Sequence, residues 1–128
     1  MNPKIEIVKS EKFSQNIAPF STALKANGFL FISGQVGLDF QTRQLQSESF
    51  EAEAHQIMKN IGIILAEAGL TFTNLVSVTI YLKDMQLFSR VNEVYKSYFE
   101  GSYPTRTCIA VADLPVGASV EMTATAIL

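Results

Sequence analysis

Residues 103–122 read Tyr103-Pro104-Thr105-Arg106-Thr107-Cys108-Ile109-Ala110-Val111-Ala112-Asp113-Leu114-Pro115-Val116-Gly117-Ala118-Ser119-Val120-Glu121-Met122. Thr107 to Ala112 is apolar and β-branched, as is Ser119 to Ile127, and Leu114-Pro115-Val116-Gly117 between them is a turn. Two strands are therefore expected here, each interrupted near its start by a charge. Arg and Glu are seldom buried without a partner or a use, because removing an unpaired charge from water is costly. Spacing alone leaves two readings open for Arg106 and Glu121. They pair as a structural salt bridge, or they face a common pocket in which a guanidinium fork meets a carboxylate ligand and a glutamate holds a water.

Outward from this stretch the period of the apolar residues assigns the remaining elements. Lys4 to Val8 alternates as a short strand. Ser21 to Ala26 and Gly28 to Ser33 form a hairpin joined at Asn27-Gly28, a strong two-residue turn signal. A polar stretch from residue 35 to Ser49 reads as a loop. Phe50, Ala54, Ile57, Met58, Ile61, Leu65 and Ala68 then recur at helical spacing. Ser47 or Ser49 caps that helix, Glu48, Glu51 and Glu53 suit its positive end, and Gly69 stops it. Val76 to Leu82 is a buried strand. Asp84 caps a second helix with the stripe Leu87, Phe88, Val91, Val94, Tyr95, Tyr98 and Phe99, ending at Gly101. The order β-β-β-α-β-α-β-β predicts an α+β fold with both helices on one face of a mixed sheet.

Composition narrows the function classes. A chain of 128 residues is expected to be one domain over 1–128. With 48% hydrophobic and 17% charged residues it is globular, and no apolar run nears the roughly 20 residues of a membrane span. The N-terminus lacks a signal-peptide pattern and Cys108 is the lone cysteine, so a reducing cytoplasmic location is expected. A net charge of −2 and a pI near 5.3, with scattered Lys and Arg, argue against nucleic acid as a partner. Low charge with high apolarity predicts burial against other subunits. His55, the only histidine, falls on the polar side of the first helix and reads as a solvated surface residue. With no second His and no Cys cluster, no metal site is expected. Cys108 lacks a histidine partner, so nucleophilic catalysis by its thiol is not expected. Ser33 and Gly34 end an apolar strand, either as a turn or with the hydroxyl and a backbone N–H facing a pocket.

Residues 104–122 also resemble the signature of the RidA/YjgF family of reactive-intermediate deaminases. The matching pieces are Pro104-Thr105-Arg106-Thr107-Cys108, Asp113-Leu114-Pro115 and Val120-Glu121-Met122. Ala18-Pro19-Phe20-Ser21, Phe31-Ile32-Ser33-Gly34-Gln35-Val36, and Leu82-Lys83-Asp84 with Val91-Asn92 and Tyr95 extend the likeness over nearly the whole chain. The resemblance implies a chorismate-mutase-like fold, with a six-stranded mixed sheet, assembled as a homotrimer with ligand clefts between subunits. It implies a 2-iminobutanoate/2-iminopropanoate deaminase, needing no cofactor, that hydrolyses reactive imino acids from pyridoxal-phosphate enzymes to 2-oxo acids and ammonia. Arg106 would clamp the substrate carboxylate and Glu121 would orient the attacking water. Ser33 and Gly34 would line the cleft, Asn92 would border it, and Cys108 would offer its backbone carbonyl rather than its sulfur. Phe20 departs from the pattern, since the family usually has Tyr, whose hydroxyl helps hold ligand or water; Phe20 keeps only the aromatic wall. Gly37 replaces a common Pro in a loop. Two rival functions are a trimeric 2-oxo-acid-binding or regulatory protein without turnover, favoured by Phe20, and an endoribonuclease, disfavoured by the acidic pI.

Overall fold

A computed structural model describes residues 1–13 and 18–128. The turn Asn27-Gly28, with φ of 51° and 83° at its two central residues, joins β2 (Ala23–Ala26) to β3 (Phe29–Gln35), as the sequence predicts. The expected first strand is shorter, β1 (Glu6–Ile7), and pairs on the outer edge of β2. Helix α1 (Phe50–Glu67) starts where Ser49 accepts a hydrogen bond from Ala52 N–H at 3.0 Å. It stops at Gly69, whose φ of 77° suits a residue without Cβ.

Strand β4 (Leu75–Leu82) leads through Asp84 into a short 3-10 turn, Met85–Leu87, that runs on into α2 (Phe88–Lys96). Asp84 accepts from Gln86 N–H at 2.9 Å, so the expected cap is present. The second helix ends before Tyr98 and Phe99; both belong to the following turn, which reaches Gly101 at φ 92°. β5 (Thr105–Ala110) starts two residues earlier than the apolar pattern indicates, since Thr105 and Arg106 already pair with β4. β6 (Val120–Ile127) closes the order β-β-β-α-β-α-β-β.

The six strands form one mixed sheet in the order β1-β2-β3-β6-β4-β5. β6 inserts antiparallel between β3 and β4, and β5 pairs parallel with β4 on the far edge through the α2 crossover. One sheet face, bearing Leu30, Val78, Ile80, Val120 and Met122, packs against Ile57, Met58, Ile61 and Leu65 of α1 and Val91 of α2, all essentially buried. Both helices lie on this face. The chain leaves the opposite face uncovered: Phe31 and Ile109, each 44% exposed, lie there among Thr79, Thr107, Thr123 and Thr125. No helix among the described residues is long and apolar enough to cross a membrane.

Candidate functional site

The residues singled out in the sequence divide into two groups on opposite faces of the sheet. Glu121 pairs across the ladder with Tyr81, which pairs with Ile109, so its side chain leaves on the open face. Arg106 pairs with Val78, a core position, so its side chain leaves on the helix face. β4 separates their two strands. Two strand spacings across and three residues along put their Cα atoms about 10 Å apart in each direction. The expectation that these two charges share a pocket within one chain is therefore corrected, as is the salt-bridge reading. Chain neighbours β5 and β6 are not sheet neighbours, because the parallel crossover carries β5 to the outside of β4.

The first group gathers at the end of β3. The β3–β6 register slips by one residue between Ile32 and Gln35, which places Ser33 and Gly34 in a bulge. Gly34 lies so close to Glu121 that a Cβ built on it would come 2.5 Å from Oε2 and 3.0 Å from Cδ. Phe20, Ser33, Gly34, Val116 and Glu121 line a cleft of about 1310 Å³, together with Phe13, Phe40 and Ile63. No hydrogen bond to the Glu121 carboxylate is found among the described residues, and burial raises its pKa above the ordinary glutamate value. A half-buried carboxylate of raised pKa beside bare backbone is suited to hold a water and accept its proton. Ser33 lines the cleft, but its hydroxyl donates to the Ser21 carbonyl at 2.6 Å. That bond ties the segment carrying Phe20 to β3 and uses the hydroxyl's proton, leaving its oxygen as an acceptor. Phe20 is 51% exposed.

The second group lies along α2. Phe88, Asn92 and Tyr95 are spaced as one helical stripe. The Arg106 guanidinium stands 5.6 Å from the Phe88 ring centroid and 5.1 Å from that of Tyr95. Asn92 lies between those two rings on the same face. Among the described residues, its Oδ1 and the Tyr95 hydroxyl are buried and find no hydrogen-bond partner. Burial pushes Tyr95 up to about 12, against the opposing pull of Arg106. Among the described residues Arg106 makes no ion pair, which leaves its donor fork for a ligand carboxylate. Cys108 follows on β5, half-buried against the core, and burial raises its thiol pKa despite the nearby Arg106. That is the wrong direction for a nucleophile at neutral pH. Because β5 is a sheet edge, part of its backbone faces away from β4 and is open to other groups.

Four polar residues of α1 have tertiary partners that the sequence reading does not supply. His55 is half-buried rather than solvated: its Nδ1 lies 2.8 Å from the Tyr98 hydroxyl, brought over it by the turn after α2. Glu51 pairs through both oxygens with Arg90 at 2.7 Å, which lowers its pKa to about 2. Glu53 is 4% exposed and turns inward, accepting from Ser119 N–H at 2.9 Å. Buried Asn60 donates to the carbonyls of Leu38, at 2.8 Å, and Val36, at 3.4 Å. The signal for Glu53 and Asn60 was the row 53–57–60–64, in which Ile57 and Ile64 mark a core-facing line. The described residues hold no group of three or more His, Cys, Asp or Glu placed to bind a metal.

The family model described as Endoribonuclease L-PSP matches residues 11–128. A mouse protein named 2-iminobutanoate/2-iminopropanoate deaminase is 43% identical over 122 residues, covering 95% of this chain and 90% of its own. A Yersinia pestis protein described as a member of the conserved Rid family superposes with a TM-score of 0.92 at 33% identity, over 97% and 99% of the two chains. The structure of E. coli TdcF with bound serine gives a TM-score of 0.89 at 28% identity, over 96% and 98%. The fold is thus the chorismate-mutase-like fold of these proteins, and the chain belongs to the YjgF/RidA family.

Proposed function

We propose that this protein is an imine deaminase that converts short 2-imino acids, and the enamines that tautomerise to them, into 2-oxo acids and ammonia. The observation that carries this reading is the Gly34–Glu121 contact, a carboxylate of raised pKa held against backbone in a cleft. The deaminase name borne by relatives such as the mouse protein points to the same chemistry. In the proposed step a water gives a proton to Glu121 as its oxygen bonds to the imine carbon, and Glu121 passes that proton to the imine nitrogen. In the collapse of the resulting amino alcohol Glu121 takes the hydroxyl proton and delivers it to the amine, the carbon–nitrogen bond breaks, the carbonyl forms and ammonia departs. Glu121 ends as it began. Arg106 fixes the substrate carboxylate and so supplies orientation, the main contribution needed for a reaction that is already fast. The chemistry calls for no cofactor.

Since Arg106 and Glu121 leave opposite sheet faces, the proposed site is built between protomers, with Arg106 of one protomer approaching Glu121 of its partner. The uncovered face bearing Phe31 and Ile109 supports self-association, and a closed trimer would supply equivalent clefts. Asn92 and the Cys108 backbone border the cleft on the Arg106 side, and Phe20 and Gly34 on the Glu121 side. Location in the cytoplasm goes with the lone cysteine.

Phe20 favours a second reading, a trimer that binds 2-oxo acids without turnover, because it supplies no hydroxyl to a water or ligand. The endoribonuclease in the family description is disfavoured by a net charge of −2, which offers little counterion release from RNA. The deciding experiment follows loss of freshly generated 2-iminobutanoate with wild type and Phe20→Tyr. Acceleration by wild type supports the deaminase. Acceleration only by Phe20→Tyr, with 2-oxo-acid binding by both, establishes the binding protein.

A further inference from the structure

Glu53 stands out because it is a carboxylate buried to 4% exposure on α1. It sits in the first turn after Ser49, where the helix dipole favours a negative charge and offsets part of the burial cost. Its Oε1 accepts the N–H of Ser119, two residues before Glu121. Ser119 lies just ahead of β6, and Glu53 gives its N–H a partner where an orphaned donor would be costly. Glu53 also meets the loop that follows Gly34. A Cβ on Gly37 would come 2.9 Å from the Glu53 carbonyl oxygen and 3.0 Å from its Cα, so the chain just after Gly34 rests on the helix backbone at this residue. Two turns on, Asn60 holds the same loop by the carbonyls of Val36 and Leu38, and its Oδ1 accepts from Gln56 at 2.9 Å.

We infer that Glu53 is a positioning residue for Glu121: it fixes the entry of β6 against the loop that follows Gly34, and thereby sets the carboxylate against the glycine backbone. The inference rests on Glu121 being the water-holding group of the proposed reaction. What Glu53 supplies is an acceptor oxygen at a fixed reach rather than a charge. A glutamine presents the same oxygen, whereas alanine removes it and aspartate withdraws it by about 1.5 Å, one carbon–carbon bond.

The test compares wild type, Glu53→Ala and Glu53→Gln in two measurements. Steady-state hydrolysis of 2-iminobutanoate is expected to show kcat reduced roughly 10-fold or more in Glu53→Ala with KM little changed, since the carboxylate is displaced while Arg106 still captures substrate. Glu53→Gln is expected to retain most of kcat. Carbon-13 NMR titration of the Glu121 carboxyl is expected to show the raised midpoint of wild type falling toward the ordinary value in Glu53→Ala and held in Glu53→Gln. If Glu53→Ala does not fold, Glu53→Asp takes its place. An unchanged kcat and midpoint in the variant lacking the reach, or a Glu53→Gln protein as impaired as Glu53→Ala, overturns the inference. Absence of turnover in wild type counts against the proposed reaction, and the Glu121 titration then decides the role of Glu53 alone.

Discussion

Replacing Gly34 by alanine separates catalysis from stability at a single methyl group. The new Cβ would lie 2.5 Å from Oε2 of Glu121, and ordinary contact begins at 3.4 Å, so the carboxylate must retreat by about 0.9 Å. The atom that yields is the end of a flexible side chain, and the backbone at Gly34 is not in the left-handed region, so alanine fits without backbone strain. Pushing Glu121 off its rotamer costs about 0.5–1.5 kcal/mol. Loss of glycine's freedom in the unfolded chain offsets about 0.4–1 kcal/mol of that. Net stability should therefore change by less than about 1 kcal/mol, a shift in Tm of no more than about 5 °C. A reacting group misplaced by about 1 Å loses roughly a hundredfold in rate. Thermal melts alongside 2-iminobutanoate hydrolysis would measure both. Undiminished turnover in Gly34→Ala would refute the role given to the Gly34–Glu121 contact, and collapse of the fold would refute the claim that only the side chain yields.

Glu121→Gln should be at least as stable as wild type at pH 7. The folded pKa of Glu121 is raised, so the folded state holds its proton more tightly and wild type loses stability as pH rises above the unfolded value. The gap between variant and wild type should close below about pH 4, and urea titrations at both pH values would show it. Cys108→Ser should keep most activity, because burial raises the thiol pKa; a loss of a hundredfold or more would revive the nucleophile. Arg106→Lys keeps the charge but loses the planar fork, so calorimetry with 2-oxobutanoate should show binding weakened roughly 10-fold or more. Equal affinity would mean the carboxylate is held elsewhere.

Local signals carried most of the fold into the sequence. The Asn27-Gly28 turn, the Ser49 cap, the apolar row of α1 and the Asp84 cap each depend on residues close together in the chain, and each stands where expected. The site was harder to read, because its geometry depends on which strands become neighbours. Nothing near Arg106 or Glu121 announces that β4 comes between them, and only the parallel pairing of β4 with β5 does so. Likewise Glu48, Glu51 and Glu53 look alike at a helix start. Tertiary partners tell Glu51 and Glu53 apart, Arg90 for the one and Ser119 for the other. His55 became half-buried because Tyr98 arrives from another element. The Ser33 hydroxyl donates to Ser21, a contact twelve residues back that no strand-end pattern reveals.

The proposed site requires Arg106 and Glu121 from different protomers. Arg106→Ala and Glu121→Gln proteins, each inactive alone, should regain imine hydrolysis when unfolded together and reassembled. In randomly mixed trimers of equal parts, roughly one cleft in four would pair an intact Arg106 with an intact Glu121. Recovery of roughly a quarter of wild-type turnover is the predicted result, and a reassembled mixture as inactive as its two components would contradict the inter-subunit site.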